Sequence, residues 1–291
     1  MIDIGFTATL FAIALWAFAN IVAKRLAVKL GNILPSITMI ALGVLPIVIT
    51  MALGNFAVKV TYFSIATAVS AGLFLFVGFF LIYRSLETEQ LTNAYVLSEV
   101  QPALLVTFGL LILGQKITTI EAVGISVIFL GVLFVITTED LRLNKRLIPA
   151  LLANVSFTAY WILMNYSITS SADTFTPLVI SRIMGLVIAV LYLSTVLKKG
   201  HAIKLPRFRR SELALSLIAL VLLGGFLDGS GDIAFSIIIK SNYLTLGSAL
   251  SALTPMVVAI LSYFIYKDRM NGMQFFGFLI MVAGAVALSL F

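Results

Sequence analysis

The chain has 291 residues, is 61% hydrophobic and only 11% charged, and has a mean hydropathy of +1.14. Soluble domains carry roughly 45–50% apolar and about 25% charged residues, so a water-soluble globule is excluded. There are no cysteines, which removes disulfides and thiolate metal sites, and the net charge of +7 comes from basic residues between apolar runs, an orientation signal before it is a nucleic-acid signal.

Apolar runs of roughly 17–25 residues each read as one membrane-spanning helix. Ten are predicted in chain order, at 4–23, 33–53, 61–83, 91–113, 119–137, 148–168, 177–197, 213–239, 244–265 and 271–290. Span 1 has no basic leader and is too long for a signal peptide, so it reads as a retained helix. Pro35, Pro149 and Pro177 fall near helix starts, where the missing N–H costs nothing. Pro102 and Pro255 fall inside spans 4 and 9, where each removes a backbone hydrogen bond and predicts a kink. Span 8 contains Gly224, Gly225, Gly229 and Gly231, each weakening a helix by roughly 1 kcal/mol relative to alanine. A thin, irregular helix is predicted there.

The chain repeats itself. Leu91 to Pro102 (LTNAYVLSEVQP) aligns without a gap on Leu244 to Pro255 (LTLGSALSALTP), and the register continues through Lys116/Arg269, Gly124/Gly277 and Gly131/Gly284. An offset of about half the chain marks a duplicated unit, giving halves at 1–140 and 141–291 of five spans each. An odd number of spans puts the second half into the membrane upside down. Charge agrees: Lys24, Arg25 and Lys29 follow span 1 while no basic residue follows span 6. Only Lys59 follows span 2 while Lys198, Lys199, Lys204, Arg207, Arg209 and Arg210 follow span 7. Such a swap is what inverted repeats require. Segments after odd-numbered spans carry fifteen basic residues and those after even-numbered spans carry three, which places both termini outside the cytoplasm.

Four charges sit well inside spans: Glu99, Arg182, Asp228 and Asp232. Each costs roughly 2.5–3.5 kcal/mol at a helix centre, so they should face a cavity or one another. Asp228 and Asp232 are one helical turn apart and share a face with Gly225 and Ser236. They either line a cavity or are fixed by Arg182 as a strut. Glu99 shares a face with Tyr95 and Pro102, is replaced by Ala252 in the second copy, and suits proton coupling, a cationic substrate or a structural pair with Arg182. Span 6 carries Asn154, Thr158, Trp161 and Asn165 as one polar-aromatic stripe, repeated weakly in span 1 by Trp16 and Asn20. That stripe should face protein or water, and its aromatic rings suit a cationic or ring-bearing ligand, although a tryptophan alone is as readily an interfacial anchor. Ser248, Ser251 and Thr254 read as packing or inter-helix bonding residues, with a role as ligands the lesser alternative. Gly124/Gly131 and Gly277/Gly284 read as helix-packing seams. The basic run through Lys198–Arg210, with His201, reads as an orientation signal in contact with anionic lipid headgroups.

These features together resemble the EamA-like branch of the drug/metabolite transporter superfamily. The resemblance rests on the five-span inverted repeat, the polar-residue-plus-proline pattern at Pro102 and Pro255, and the links Gly114-Gln115-Lys116-Ile117-Thr118 and Lys267-Asp268-Arg269-Met270. The glycine-bearing spans that follow, and Trp16 with Lys24, complete it. It covers the whole chain and implies an all-α integral membrane protein of ten helices around a central cavity lined by spans 1, 3, 4, 6, 8 and 9. The family is commonly drawn with cytoplasmic termini, against the loop charge here. Its early arginine in the second span of a half occurs only in the second copy, as Arg182.

The resulting expectation is a secondary transporter of small metabolites in the plasma membrane, working by alternating access as a monomer. Three acids against one arginine favour amino acids or amine-bearing compounds. The predicted substrate-binding set is Trp16, Asn20, Tyr95, Glu99, Trp161, Asn165, Arg182, Asp228 and Asp232, with Glu99 as the proton-coupling group and Pro102, Pro255, Gly229 and Gly231 as kink or gating positions. No cofactor, metal or nucleic acid is expected. The alternative is an uncoupled facilitator or exchanger of a small polar metabolite such as a sugar or nucleotide sugar. An enzyme is not expected: HExxH and GxSxG motifs are absent, as is an ATP-binding P-loop.

Overall fold

The computed structural model describes residues 4–54, 58–87, 100–137, 148–198, 211–267 and 272–289. These form α1 (Ile4–Leu30), α2 (Ile33–Leu42), α3 (Val44–Leu53), α4 (Tyr62–Leu86), α5 (Val100–Leu111) and α6 (Thr119–Thr137) in the first half of the chain. The second half supplies α7 (Ile148–Thr169), α8 (Thr176–Lys198), α9 (Ser211–Lys240), α10 (Leu244–Ser251), α11 (Thr254–Tyr266) and α12 (Gly272–Ser289). Among the described residues, seven helical stretches are long and apolar enough to cross a membrane, counting α2–α3 and α10–α11 as one each. Val100–Leu111, Thr119–Phe134 and Gly272–Leu288 are shorter apolar helices.

Local chemistry sets the helix ends. Thr61 caps α4 by accepting from the Ser64 amide at 3.0 Å. Thr118 and Glu121 exchange side-chain and backbone bonds at the start of α6, a capping box. The Asp173 carboxylate accepts from the amides of Phe175 and Thr176 ahead of α8. Gly31 (φ 78°) ends α1 and Lys267 (φ 64°) ends α11 in the left-handed region that helix C-termini favour.

Three elements differ from the sequence expectation. Span 1 runs on to Leu30 instead of stopping at residue 23. Leu26, Ala27 and Leu30 stay buried, and the Lys24 ammonium donates to the Leu86 carbonyl at 2.8 Å, so the basic residues ride on the last turns of the helix. Span 2 is broken at Gly43, with Pro46 in the first turn of α3, where its missing N–H costs nothing. Span 8 is one continuous helix through all four glycines, not an irregular one. Neighbours occupy the room that side chains would take: a Cβ on Gly225 would meet Leu42 at 2.5 Å, one on Gly231 would meet the Trp16 indole at 2.5 Å, and one on Gly229 would overlap the Gly43 carbonyl oxygen. Close packing of this kind offsets poor helix propensity. Span 9 breaks as its proline requires, between α10 and α11 at Ala252 and Leu253.

Packing pairs the two halves. The principal contacts are α1 with α9, α4 with α7 and α8, α5 with α10, α6 with α12, and α2 with α8 and α9. Exchanging equivalent spans of the two halves turns α1–α9 into α7–α4, and both contacts are present. Chain ends fix directions. The start of α4 meets the end of α7 through Ser64 and Ser167, whose hydroxyls lie 3.0 Å apart. Gly5 at the start of α1 lies against Tyr243, just past the end of α9. The glycine seams join α6 to α12: a Cβ on Gly131 would meet the Gly277 carbonyl at 2.6 Å, and one on Gly284 would meet that of Gly124 at 2.8 Å. Large apolar side chains such as Leu53, Phe63, Leu215 and Phe264 remain exposed on the outside, as lipid-facing residues are.

Candidate functional site

The break in the second span builds the site. With no side chain at Gly43, the guanidinium of Arg182 from α8 lies across the gap between α2 and α3, and a Cβ there would fall on Arg182 Nη1. Nη1 donates to the Met39 carbonyl at 3.2 Å. Nη2 donates to Asp228 Oδ2 and to Asp232 Oδ2, each at 2.6 Å. The aspartates stand one turn apart on α9, so a single nitrogen reaches both. Arg182 is wholly buried, and its Nε has no hydrogen-bond partner among the described residues. The Tyr160 hydroxyl of α7 approaches Asp232 Oδ2 at 3.4 Å. With all three groups ionised the formal charge is −1, because one guanidinium faces two carboxylates.

On the far side of those carboxylates lies a cavity of about 130 Å³, close to the roughly 150 Å³ that holds a benzene-sized molecule. Asp228 and Asp232 form one wall. Trp16, Asn20, Trp161 and Tyr160 adjoin them, and Gln101, Pro102, Ser251, Thr254 and Pro255 come from the two proline-bearing spans. The aromatic rings pack together: Trp161 lies 4.5 Å from Phe235, 4.8 Å from Tyr160 and 6.0 Å from Trp16, centroid to centroid, all tilted or edge-on. Tilted rings at these separations are favourable pairs and present both faces and polar edges to a ligand.

The sequence-predicted residues divide. Trp16, Asn20, Trp161, Asp228, Asp232, Pro102 and Pro255 line the cavity. Arg182 does not. It stands behind the aspartates, wholly buried, with its charge committed to them. Asn165 is also off the cavity, buried, with its carbonyl accepting from Thr169 at 2.7 Å. Tyr95 and Glu99 lie outside the described residues, as do Lys199–Arg210 with His201. Gly229 and Gly231 sit in an unbroken helix as points of close approach to Gly43 and Trp16. Gly43, Met39 and Gln101 were not singled out from the sequence. A glycine three residues before Pro46 inside an apolar run was the available signal for the break at Gly43.

The model of the EamA-like transporter family matches residues 3–137 and, a second time, residues 145–290. The chain belongs to the EamA-like transporter family. It is therefore a multi-pass membrane protein of the drug/metabolite transporter superfamily, whose EamA members are small-molecule transporters. One solved structure, described only as a crystal structure of a protein, superposes with a TM-score of 0.70 at 15% identity, over 98% of this chain and 96% of its own. At that identity it shows that the EamA-like chain shares its fold and nothing about substrate. No curated protein matches the chain significantly.

Proposed function

We propose that this EamA-like chain is a secondary transporter that carries amino acids or other amine-bearing small metabolites across the plasma membrane by alternating access of two inverted halves. One observation carries the substrate class. The cavity wall pairs two carboxylates, only half neutralised by Arg182, with Trp16 and Trp161. An ammonium group would satisfy the residual negative charge and lie against aromatic faces. The cavity's capacity suits a solute of about six non-hydrogen atoms, the scale of a small amino acid. The inverted arrangement is supported by the antiparallel meetings of α4 with α7 and α1 with α9, each pair drawn from different halves.

Glu99 is proposed as the coupling carboxylate. It precedes Gln101 and Pro102, which line the cavity, and it has no acidic counterpart in the second copy. Both termini are placed on the non-cytoplasmic side by the loop charge. The test is flux in proteoliposomes, using labelled amino acids and organic cations with and without an inward proton gradient. Gradient-driven accumulation of an amine-bearing compound, lost in Asp232→Asn and uncoupled in Glu99→Gln, is the expected result. Flux that only equilibrates, whatever the gradient, would establish the facilitator reading instead. Transport confined to uncharged sugars would overturn the substrate class.

A further inference from the structure

The cavity is asymmetric across the fold. Its lining starts at mid-depth with Trp16 of α1 and Trp161 of α7 and continues through Ala23 in the second half of α1, Tyr83 in the second half of α4 and Asn154 in the first half of α7. Ala23, Tyr83 and Asn154 lie toward the face where α1, α4 and α11 end, the face that carries most of the basic residues. Toward the opposite face the cavity stops well short. Asp232 is separated from the end of α9 at Lys240 by about 12 Å at the helical rise of 1.5 Å per residue. That interval is filled by Phe235, Ile238, Ile239, Leu244 and Ile168, all buried.

The halves are tied at this face by several bonds, among them Ser171 to the Lys59 carbonyl at 2.8 Å and Ser64 to Ser167, and Gln115 supplies four more. Gln115, in the link between α5 and α6, uses both ends of its amide on the α9–α10 turn. Its Oε1 accepts from the Thr245 backbone N–H at 2.9 Å and from the Thr245 hydroxyl at 2.6 Å, and its Nε2 donates to Asn242 Oδ1 at 2.9 Å and to the Asn242 carbonyl at 3.2 Å. The fit is close on both sides. A Cβ on Gly109 would overlap the Thr245 hydroxyl, the Gln115 backbone N–H is anchored on the Gly109 carbonyl at 3.0 Å, and Gly114 (φ 63°) and Asn242 (φ 60°) turn the two chains toward each other in left-handed conformations.

Thr245, Ser248 and Ser251 descend α10 at steps of three, from this contact to the cavity wall. Ser248 lies between them, fully buried, and its hydroxyl has no hydrogen-bond partner among the described residues. A buried unpaired hydroxyl is unfavourable in apolar packing, so the closed state carries a cost at the place where opening would admit water.

We infer that Gln115 is the latch of a gate: its bonds to Asn242 and Thr245 hold the less basic face closed while the cavity opens toward the basic face, and their release exposes the α10 path through Ser248. The inference rests on the alternating-access reading but needs no substrate. Failed flux of the compounds tried would count against the substrate class, whereas the labelling below reads the gate with no substrate present.

The chain's lack of cysteine makes single-cysteine reporters clean. Ser248→Cys and Ser251→Cys would each be exposed to a charged, membrane-impermeant maleimide from one face at a time, in intact cells and in inverted vesicles. With Gln115 present, Ser251→Cys should react from the basic face, and Ser248→Cys should be protected from the opposite one. Gln115→Ala should raise Ser248→Cys labelling from the opposite face by about tenfold or more, the scale of losing a few neutral hydrogen bonds. Gln115→Glu, which keeps the acceptor for Thr245 and loses the donors to Asn242, should raise it less. Retained Ser251→Cys labelling from the basic face certifies the fold. Should Gln115→Ala not fold, Asn242→Gly removes the side-chain acceptor while tolerating the left-handed backbone. Unchanged Ser248→Cys labelling in a folded latch variant, or Ser251→Cys labelled only from the opposite face, would overturn the inference.

Discussion

The buried charge cluster responds asymmetrically to loss of its two signs. Removing one partner of a buried pair costs about 3–5 kcal/mol, because the other charge is left uncompensated. Here the partners differ in their access to water. Asp228 and Asp232 line the cavity, with side chains 12% and 6% exposed, whereas the Arg182 side chain is 0% exposed and walled in by Met39, Gly43 and the aspartates. Arg182→Met therefore leaves two carboxylates that can turn toward the cavity and hydrate, and its cost should fall near 3 kcal/mol. The double variant Asp228→Asn/Asp232→Asn leaves a guanidinium with no acid and no route to solvent. Its cost should fall near 5 kcal/mol. Combining all three substitutions removes every charge and should recover most of the loss, since neutral replacement of a buried ion cluster is often tolerated.

Thermal unfolding in detergent, followed by the fluorescence of Trp16 and Trp161 beside the cluster, would measure this. Shifts of roughly 2–4 °C per kcal/mol are expected for chains of this size, so the single variant should lose about 6–12 °C and the double variant about 10–20 °C. A larger loss for Arg182→Met than for the double variant, or no recovery in the triple, would refute the argument that the arginine is the enclosed member and the aspartates the wet ones.

Two further outcomes test the packing that builds the site. Gly43→Ala puts a methyl group on Arg182 Nη1 and within 2.9 Å of the Met39 carbonyl. Overpacking of about 1–3 kcal/mol is expected, read as a lower unfolding temperature, with Gly43→Ser no better; an unchanged Tm would show that α2 and α3 yield freely at their junction. Gly131→Leu at the α6–α12 seam, where a Cβ already meets the Gly277 carbonyl at 2.6 Å, should lower Tm to a similar degree. The lipid-facing Leu133→Ile should not, and equal effects would show that the seam is not tight.

The break at Gly43 shows where sequence reading reached its limit. Pro255 announced its break because a missing N–H acts within its own helix. Pro46 favours a break in span 2 in the same way, but nothing within that span says what the bare Gly43 at the break is for. Its role exists only because α8 carries Arg182 to that height and α9 brings Gly229 against its carbonyl. Glycines on α9 misled for the converse reason: propensity argued for irregularity, while Val22, Leu42 and Trp16 packed against the bare backbone and kept the helix whole. Arg182 and Asn165 were legible as buried polar groups but not as residues off the cavity, because depth behind a wall is a distance between helices. Gln115 was visible only as part of a family-like link, since its partners lie more than a hundred residues away.

What the sequence determined by itself was whatever a single segment dictates. Apolar length sets the spans, proline sets the break in the ninth, the constant offset sets the duplication, and the cost of charge in lipid marks Asp228, Asp232 and Arg182 as residues that must find partners or water. The tertiary structure decided which of those two they found. One nitrogen of Arg182 holds both aspartates, the aspartates keep a face on the cavity, and Gln115 bonds across the two halves to Asn242 and Thr245. These are pairings between helices far apart in the chain, and no periodicity within one helix encodes the distance to another.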